Sequence, residues 1–455
     1  MTKIKCGAII CVTCRIFNVK KEAIIMSDQI FSTPDYKRSR WAYTFECAFE
    51  YFISLMSSGT FLATLLTAMK IDDAATGVIS SLISFAYLFQ LLSIFIVQKI
   101  RNVKRVAVPV HCISQLLFLV LYLFPFFDMP QGLRVALIVG CIMLAYCGKY
   151  LVLAVIFNWG NAYVNPERRA NFAATKEIIS LLSGIVVSLS VGYTLDRFIE
   201  AGNVNGGFIV IAVTMLVMNV GDFACLMAMK NIKKEKNDEK RDEPFWKVIK
   251  MLFKNKGFVC TVIVHSLHSI ALYMTNGFMG TYKLGELAIT VAVVEAINIF
   301  AHLMRAAFSK PFARYADKRS YAKGITLGTT VFALAFLFNM FTAPGTWWLV
   351  IVYVVMYNVS CAGTSQNMLN IPYSYVDRKY FVEASAIKAS ISGICGFGAS
   401  LIGSMILEAV QKNGNTLFGI TVYGQQVLSA ISFVIAVIGI LFVKFVLEKQ
   451  KIIAK

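Results

Sequence analysis

Apolar runs of about 20 residues recur along the whole of this chain, and as a helix each would cross a bilayer core of roughly 30 Å. Twelve can be marked: 41–66, 74–97, 106–127, 133–158, 172–195, 207–229, 257–281, 286–308, 323–342, 346–369, 385–408 and 422–447. In lipid an unpaired backbone amide finds no partner, so a crossing segment must be a helix or part of a closed barrel. The alternating ten-residue pattern of a membrane barrel is absent. The chain is 58% hydrophobic and 15% charged, with a mean hydropathy of +0.67, too few charges to cover soluble domains of this length. The expected fold class is an all-α integral membrane protein with twelve transmembrane helices.

A net charge of +19 raises the question of nucleic acid, and its distribution answers it. With loops assigned to alternate sides, 35 of the 44 Lys and Arg residues fall on one side and 5 on the other. Those near a segment end are counted with the adjoining loop, and Lys149, Lys176, Arg305 and Lys388 are counted inside segments. That is the positive-inside bias of a protein with an even number of spans and both termini cytoplasmic, and the cell membrane is its expected location. The basic charge belongs to orientation and to anionic lipid, and no nucleic-acid partner is expected.

Trp41, Trp159, Trp246, Trp347 and Trp348 all fall at segment ends or in the amphipathic stretch "PFWKVIKMLF", where an aromatic belt is expected. Cys11 and Cys14 form a lone CxxC with no second pair, and the other cysteines are scattered, so no metal site and no cofactor are expected. Residues 1–25 are too interrupted by charge for a signal peptide. Met26 opens "MSDQIFSTPDYKRSRW", so the first 25 residues are expected to be an upstream-start extension.

The chain also repeats itself. "NWGNAYVNPERRANF" begins at Asn158 and "NMLNIPYSYVDRKYF" at Asn367, each between the fourth and fifth segment of a set of six. Both contain an acidic-basic pair, Glu167-Arg168 and Asp377-Arg378. Both lead past a lysine, Lys176 or Lys388, into a helix rich in Gly and Ser. Between the two sets runs "KNIKKEKNDEKRDEPFWKVIK", the long charged linker. The expected organisation is a tail at 1–40, a six-helix half at 41–229, a linker with an interfacial helix at 230–256, a second half at 257–447 and a tail at 448–455. Two such halves form a transporter architecture.

At this level the chain resembles the major facilitator superfamily over residues 41–447. That family carries Gly-x-x-x-Asp-Arg/Lys-x-Gly-Arg/Lys after the second helix of each half. "ARYADKRSYAK" keeps Asp317 and Lys318 but has Ala313 and Ser320 at the glycine positions, and "VQKIRNVKR" keeps only the basic residues. "VGYTLDRF" looks like the family's Gly-x-x-x-Asp ending of the fifth helix. The resemblance implies a central cavity lined by helices 1, 4, 7 and 10. It also implies that charged loop residues close the cytoplasmic side, here Glu167, Arg168, Asp317, Asp377 and Arg378.

Polar groups that lipid would reject are the candidates for function, because a central ionised side chain costs roughly 2.5–3.5 kcal/mol or more. Glu46 and Glu50 begin a polar stripe with Ser54, Ser57 and Ser58 on the first segment. Glu50 and Lys149 each lie nine residues from the cytoplasmic end of their segment, so the two can pair. His265 and His268 on the seventh segment, Glu295 in the middle of the eighth, and Tyr357 and Asn358 on the tenth complete the substrate and coupling candidates. His111, His302, Asp222 and Arg305 read as structural groups.

The function expected is secondary active transport of a small polar or amphipathic solute by alternating access in a monomer. H⁺ is the expected coupling ion, through Glu46, Glu50 or Glu295, with Na⁺ as the rival. A transporter-like sensor or assembly factor is the remaining alternative. No Walker A motif provides for direct use of ATP. An enzyme is not expected, because no metal cluster or nucleophile triad is spaced for one.

Overall fold

The computed structural model describes residues 31, 33–93, 102–164, 169–231, 244–377, 380–417 and 419–452. Within them lie twelve helices long and apolar enough to span a membrane. In the first half α1 comprises Pro34–Met56 and Gly59–Ala68, and α2 runs from Asp73 to Ser93. They are followed by α3 (Val103–Val120), α4 (Gln131–Asn161), α5 (Arg169–Glu200) and α6 (Val204–Ala228). The second half contains α7 (Lys256–Thr275, continued in tighter and wider turns to Glu286), α8 (Val291–Lys318) and α9 (Tyr321–Asn339). It closes with α10 (Leu349–Asn370), α11 (Phe381–Lys412) and α12 (Gly424–Phe445). Strands β1 (Thr416–Leu417) and β2 (Ile420–Thr421) form a small hairpin before α12.

The helices overshoot their apolar stretches. The apolar pattern sets α11 at 385–408, yet its backbone ladder continues from Phe381 to Lys412. Hydrogen bonding does not stop at the edge of the lipid, so the charged ends stay helical. In α1 the reverse happens. Ser57 and Ser58 turn their hydroxyls back to the carbonyls of Ile53 and Ser54, at 2.7 and 2.6 Å. Gly59 then takes a left-handed φ of +55°, which costs a residue without Cβ little, and the helix is interrupted. Tyr122, in the tighter 3₁₀ turns that continue α3 from Leu121 to Phe126, donates to the Met56 carbonyl at this break.

The stretch Phe245–Lys254 is helical, as its amphipathic pattern predicts, with Val248 and Leu252 buried and Trp246 78% exposed. Trp41, Trp347 and Trp348 are exposed as belt residues. Trp159 is a correction. It is buried, and its indole N–H donates to the Tyr163 hydroxyl at 2.7 Å and to the Lys230 carbonyl at 2.9 Å. It anchors the end of α6 instead of facing headgroups.

An even number of crossings returns both chain ends to one side, called here the tail side; the other is the far side. Each half has its own apolar core, with Phe61, Tyr122 and Phe208 in the first and Phe332, Phe336 and Tyr353 in the second. Among the described residues, the polar contacts between the halves run from the middle of the helices to the far side. Ser84 of α2 donates to Gly393 of α11 at 2.8 Å, and Ser390 of α11 donates to Tyr87 of α2 at 3.1 Å. At the far ends Gln411 donates to Asp73 at 3.0 Å. Backbones touch where glycines permit it: a Cβ on Gly277 would sit 2.5 Å from the Gly77 carbonyl oxygen, and one on Gly393 would sit 2.3 Å from that of Ser84. The halves are therefore closed against each other on the far side.

Asp196 is the strongest of these latches. Its two carboxylate oxygens accept from the backbone N–H groups of Val291 (3.2 Å) and Ala292 (2.8 Å), capping α8 from α5 of the opposite half. This is the aspartate that ends "VGYTLDRF". A charged cap on the free amides of a helix N-terminus is worth about 0.5–2 kcal/mol. Asp196→Ala should therefore shift the closed-to-open balance of the far side by roughly tenfold while leaving the melting temperature nearly unchanged. Distances between spin labels at positions 200 and 290 should acquire a longer population; an unchanged distribution would remove Asp196 from the latch.

Candidate functional site

Two features stand out in the membrane interior. The first is an ion pair. Glu50 of α1 and Lys149 of α4 meet at 2.9 Å, and their side chains are 18% and 15% exposed. Their equal depth, read from residue counts, brings them together as expected. Each offsets the cost of the other's charge in a low-dielectric setting, and both stay accessible. On the same helix face as Lys149's neighbour Tyr150, an aromatic series follows: Tyr150 packs on Tyr146 and on Tyr87 of α2, with centroids 6.1 and 5.0 Å apart.

The second is a cavity of about 340 Å³ in the tail-side part of the molecule, walled by α2, α7, α10 and α11. His265 and His268 lie one turn apart on α7 and both line it, as does Lys388 of α11. Ser392 fixes His265 with a 3.0 Å hydrogen bond to Nδ1, while His268 Nδ1 is buried without a partner and the His268 ring packs 4.5 Å from Phe332. Lys388 is buried, and its ammonium donates to the Met368 carbonyl. The sequence signal for Lys388 was its repetition with Lys176, which instead lies over the Tyr43 ring at 4.5 Å.

Other candidates are placed elsewhere. Glu46 sits one turn before Glu50 yet does not join it. It is 1% exposed and shares a closed cluster with His111 of α3 and Asp222 of α6. His111 Nε2 is 3.0 Å from Asp222 and 3.9 Å from Glu46, and Cys47 donates to Glu46 at 3.1 Å. The carboxylate and imidazole atoms of the three lie within 4.8 Å of one another, a grouping that spacing along the chain could not reveal.

Glu295 is not in the middle of its helix: α8 begins at Val291, so Glu295 is one turn from the far end. It is buried, accepts from Asn298 at 3.2 Å and interacts with Lys283. Asn358 bonds back to its own helix at the Val354 carbonyl, 2.9 Å away, and Tyr357 packs on Tyr353 and Phe332. On α10 the cavity is lined by Thr364, Ser365, Met368 and Leu369 instead. Of the loop candidates, Glu167, Arg168 and Arg378 lie outside the described residues, as does the side chain of Asp317. Asp377 is described and exposed.

The family model described as Major Facilitator Superfamily matches residues 47–406, most of the chain. The chain belongs to the major facilitator superfamily. It is a multi-pass membrane protein of a transporter family. Solved structures with the same fold include the nucleoside transporter NupG, with 14% identity, a TM-score of 0.65, and coverage of 92% of this chain and 100% of that one. A bacterial homologue of the human lysosomal transporter Spinster, inward-facing and unoccupied, matches at 13% identity and a TM-score of 0.61, over 92% of this chain and 98% of that one. A bacterial homologue of the human drug peptide transporters matches at 13% identity and 0.64, over 91% and 98%. At these identities the likeness is one of fold. No curated protein matches the chain by sequence.

Proposed function

We propose that this protein is a secondary active transporter that carries a small solute by alternating access, with H⁺ as the coupling ion. The observation that carries the reading is the Glu50–Lys149 pair: opposite charges inside the membrane, joined at 2.9 Å and still partly accessible. The Glu46 cluster, by contrast, is sealed from solvent. Protonating Glu50 would release Lys149, and this exchange of partners is how a proton would change the balance between conformations. Far-side closure with a tail-side cavity supports one end state of that cycle.

The tail side is read as cytoplasmic from the bias of Lys and Arg. Cysteines engineered at Gly202 and Asn413 should then react with impermeant reagents added outside cells, and one at Asp238 only after permeabilisation. External reaction at Asp238 would overturn the orientation. The loop pairs Glu167-Arg168 and Asp377-Arg378 would close this side when the far side opens.

A further inference from the structure

We propose that the cavity between α2, α7, α10 and α11 binds a small organic anion, with Lys388 as the counter-charge; this rests on the transporter reading and assigns its substrate class. Three basic side chains converge there, His265 and His268 from α7 and Lys388 from α11. None of the described residues lining the cavity is an Asp or Glu. Lys388 is 3% exposed, and the partner its ammonium meets is the Met368 carbonyl, a neutral group. A buried ammonium without an anion is costly, and proteins normally satisfy it with a carboxylate from the same chain. Lys149 illustrates this: it has Glu50 at 2.9 Å. Lys388 has no such partner, so the missing negative charge is one that arrives from outside.

The remaining wall fits the same ligand. His268 Nδ1 and the Ser385 hydroxyl are buried and unpartnered, two polar atoms beyond the ammonium that a carboxylate or phosphate could engage. Tyr87 and Tyr273 supply flat apolar surface beside them. A volume of about 340 Å³ suits a small metabolite-sized acid and excludes a long chain.

The test uses the full-length protein in lipid nanodiscs and thermal stabilisation by matched probes: benzoate against benzamide, glutarate against glutaramide, glycerol phosphate against glycerol, with choline as the cationic control. At least one acid should raise the melting temperature while its neutral partner and choline do not. The carboxylate and phosphate arms identify which anion the site prefers. Lys388→Gln should weaken the effective acid by at least about thirtyfold, the loss expected when one partner of a buried charge pair is removed. Lys388→Arg should retain most of the binding.

Ser385→Asp guards against a Gln variant that fails to fold. Three residues before Lys388 on the same helix, it supplies an internal counter-ion, so it should abolish anion binding and raise the melting temperature of the unliganded protein. Stabilisation by neutral or cationic probes alone, equal binding by Lys388→Gln, or no response to any acid would overturn the proposal. Radiolabelled uptake into proteoliposomes separates the two claims. An acid that binds but is never carried would leave the anion site standing and remove the transporter, whereas uptake of a neutral or cationic solute alone would do the opposite.

Discussion

Asp222→Ala should be among the most destabilising single substitutions in this protein, costing about 3–5 kcal/mol, the loss seen when one member of a buried charged group is removed. Asp222 is fully buried, and His111 Nε2 lies 3.0 Å from its carboxylate. Glu46, on a third helix, is 3.9 Å from the same nitrogen. Deleting Asp222 strands the imidazole and leaves a void among α1, α3 and α6. His111→Ala should cost nearly as much. The double variant should lose less than the sum of the two, with a coupling of roughly 0.5–3 kcal/mol, because both remove the same contact. Thermal unfolding of the purified protein in detergent reads all three. A melting temperature for Asp222→Ala equal to that of the parent would mean that the cluster does not hold these helices together.

Glu50→Gln should abolish accumulation of solute against its gradient while leaving exchange of solute across the membrane intact. The amide keeps the size of the side chain and removes the group that would take up and release the proton. Glu46→Gln is the informative contrast. Its position was the second candidate in the sequence, but the structure seals it with His111 and Asp222, so it should act on stability before transport. Proteoliposomes with an imposed proton gradient and a pH-sensitive dye inside give the readout. Proton flux that persists in Glu50→Gln would show that coupling does not pass through this pair.

Much of this protein was legible from one dimension. Helix count follows from the length of apolar runs, because lipid admits only helices and closed barrels and the barrel pattern is absent. The expected orientation follows from where Lys and Arg accumulate, and the halves from the repeated stretch at Asn158 and Asn367. Even the Glu50–Lys149 contact could be anticipated, since depth in a membrane is nearly proportional to residue count along a helix.

What counting could not supply is the direction each side chain faces. Glu46 and Glu50 are four residues apart, about 40° in rotation and 6 Å in height. That small offset turns one toward α3 and α6 and the other toward α4. Tyr357 and Asn358 look polar and central in the sequence, yet Tyr357 packs beside Phe332, Asn358 bonds back to its own helix, and Thr364 and Met368 line the cavity instead. Lys388 carried only the faint signal of a repeat. Its isolation from every carboxylate of the described chain appears only when α7, α10 and α11 are brought together. The sequence by itself determined how many times the chain crosses and how deep Glu50 and Lys149 sit, because both depend on distance along a helix. Which charges meet, and which is left with only a neutral carbonyl for a partner, was decided by the tertiary structure, because that depends on how neighbouring helices are rotated against one another.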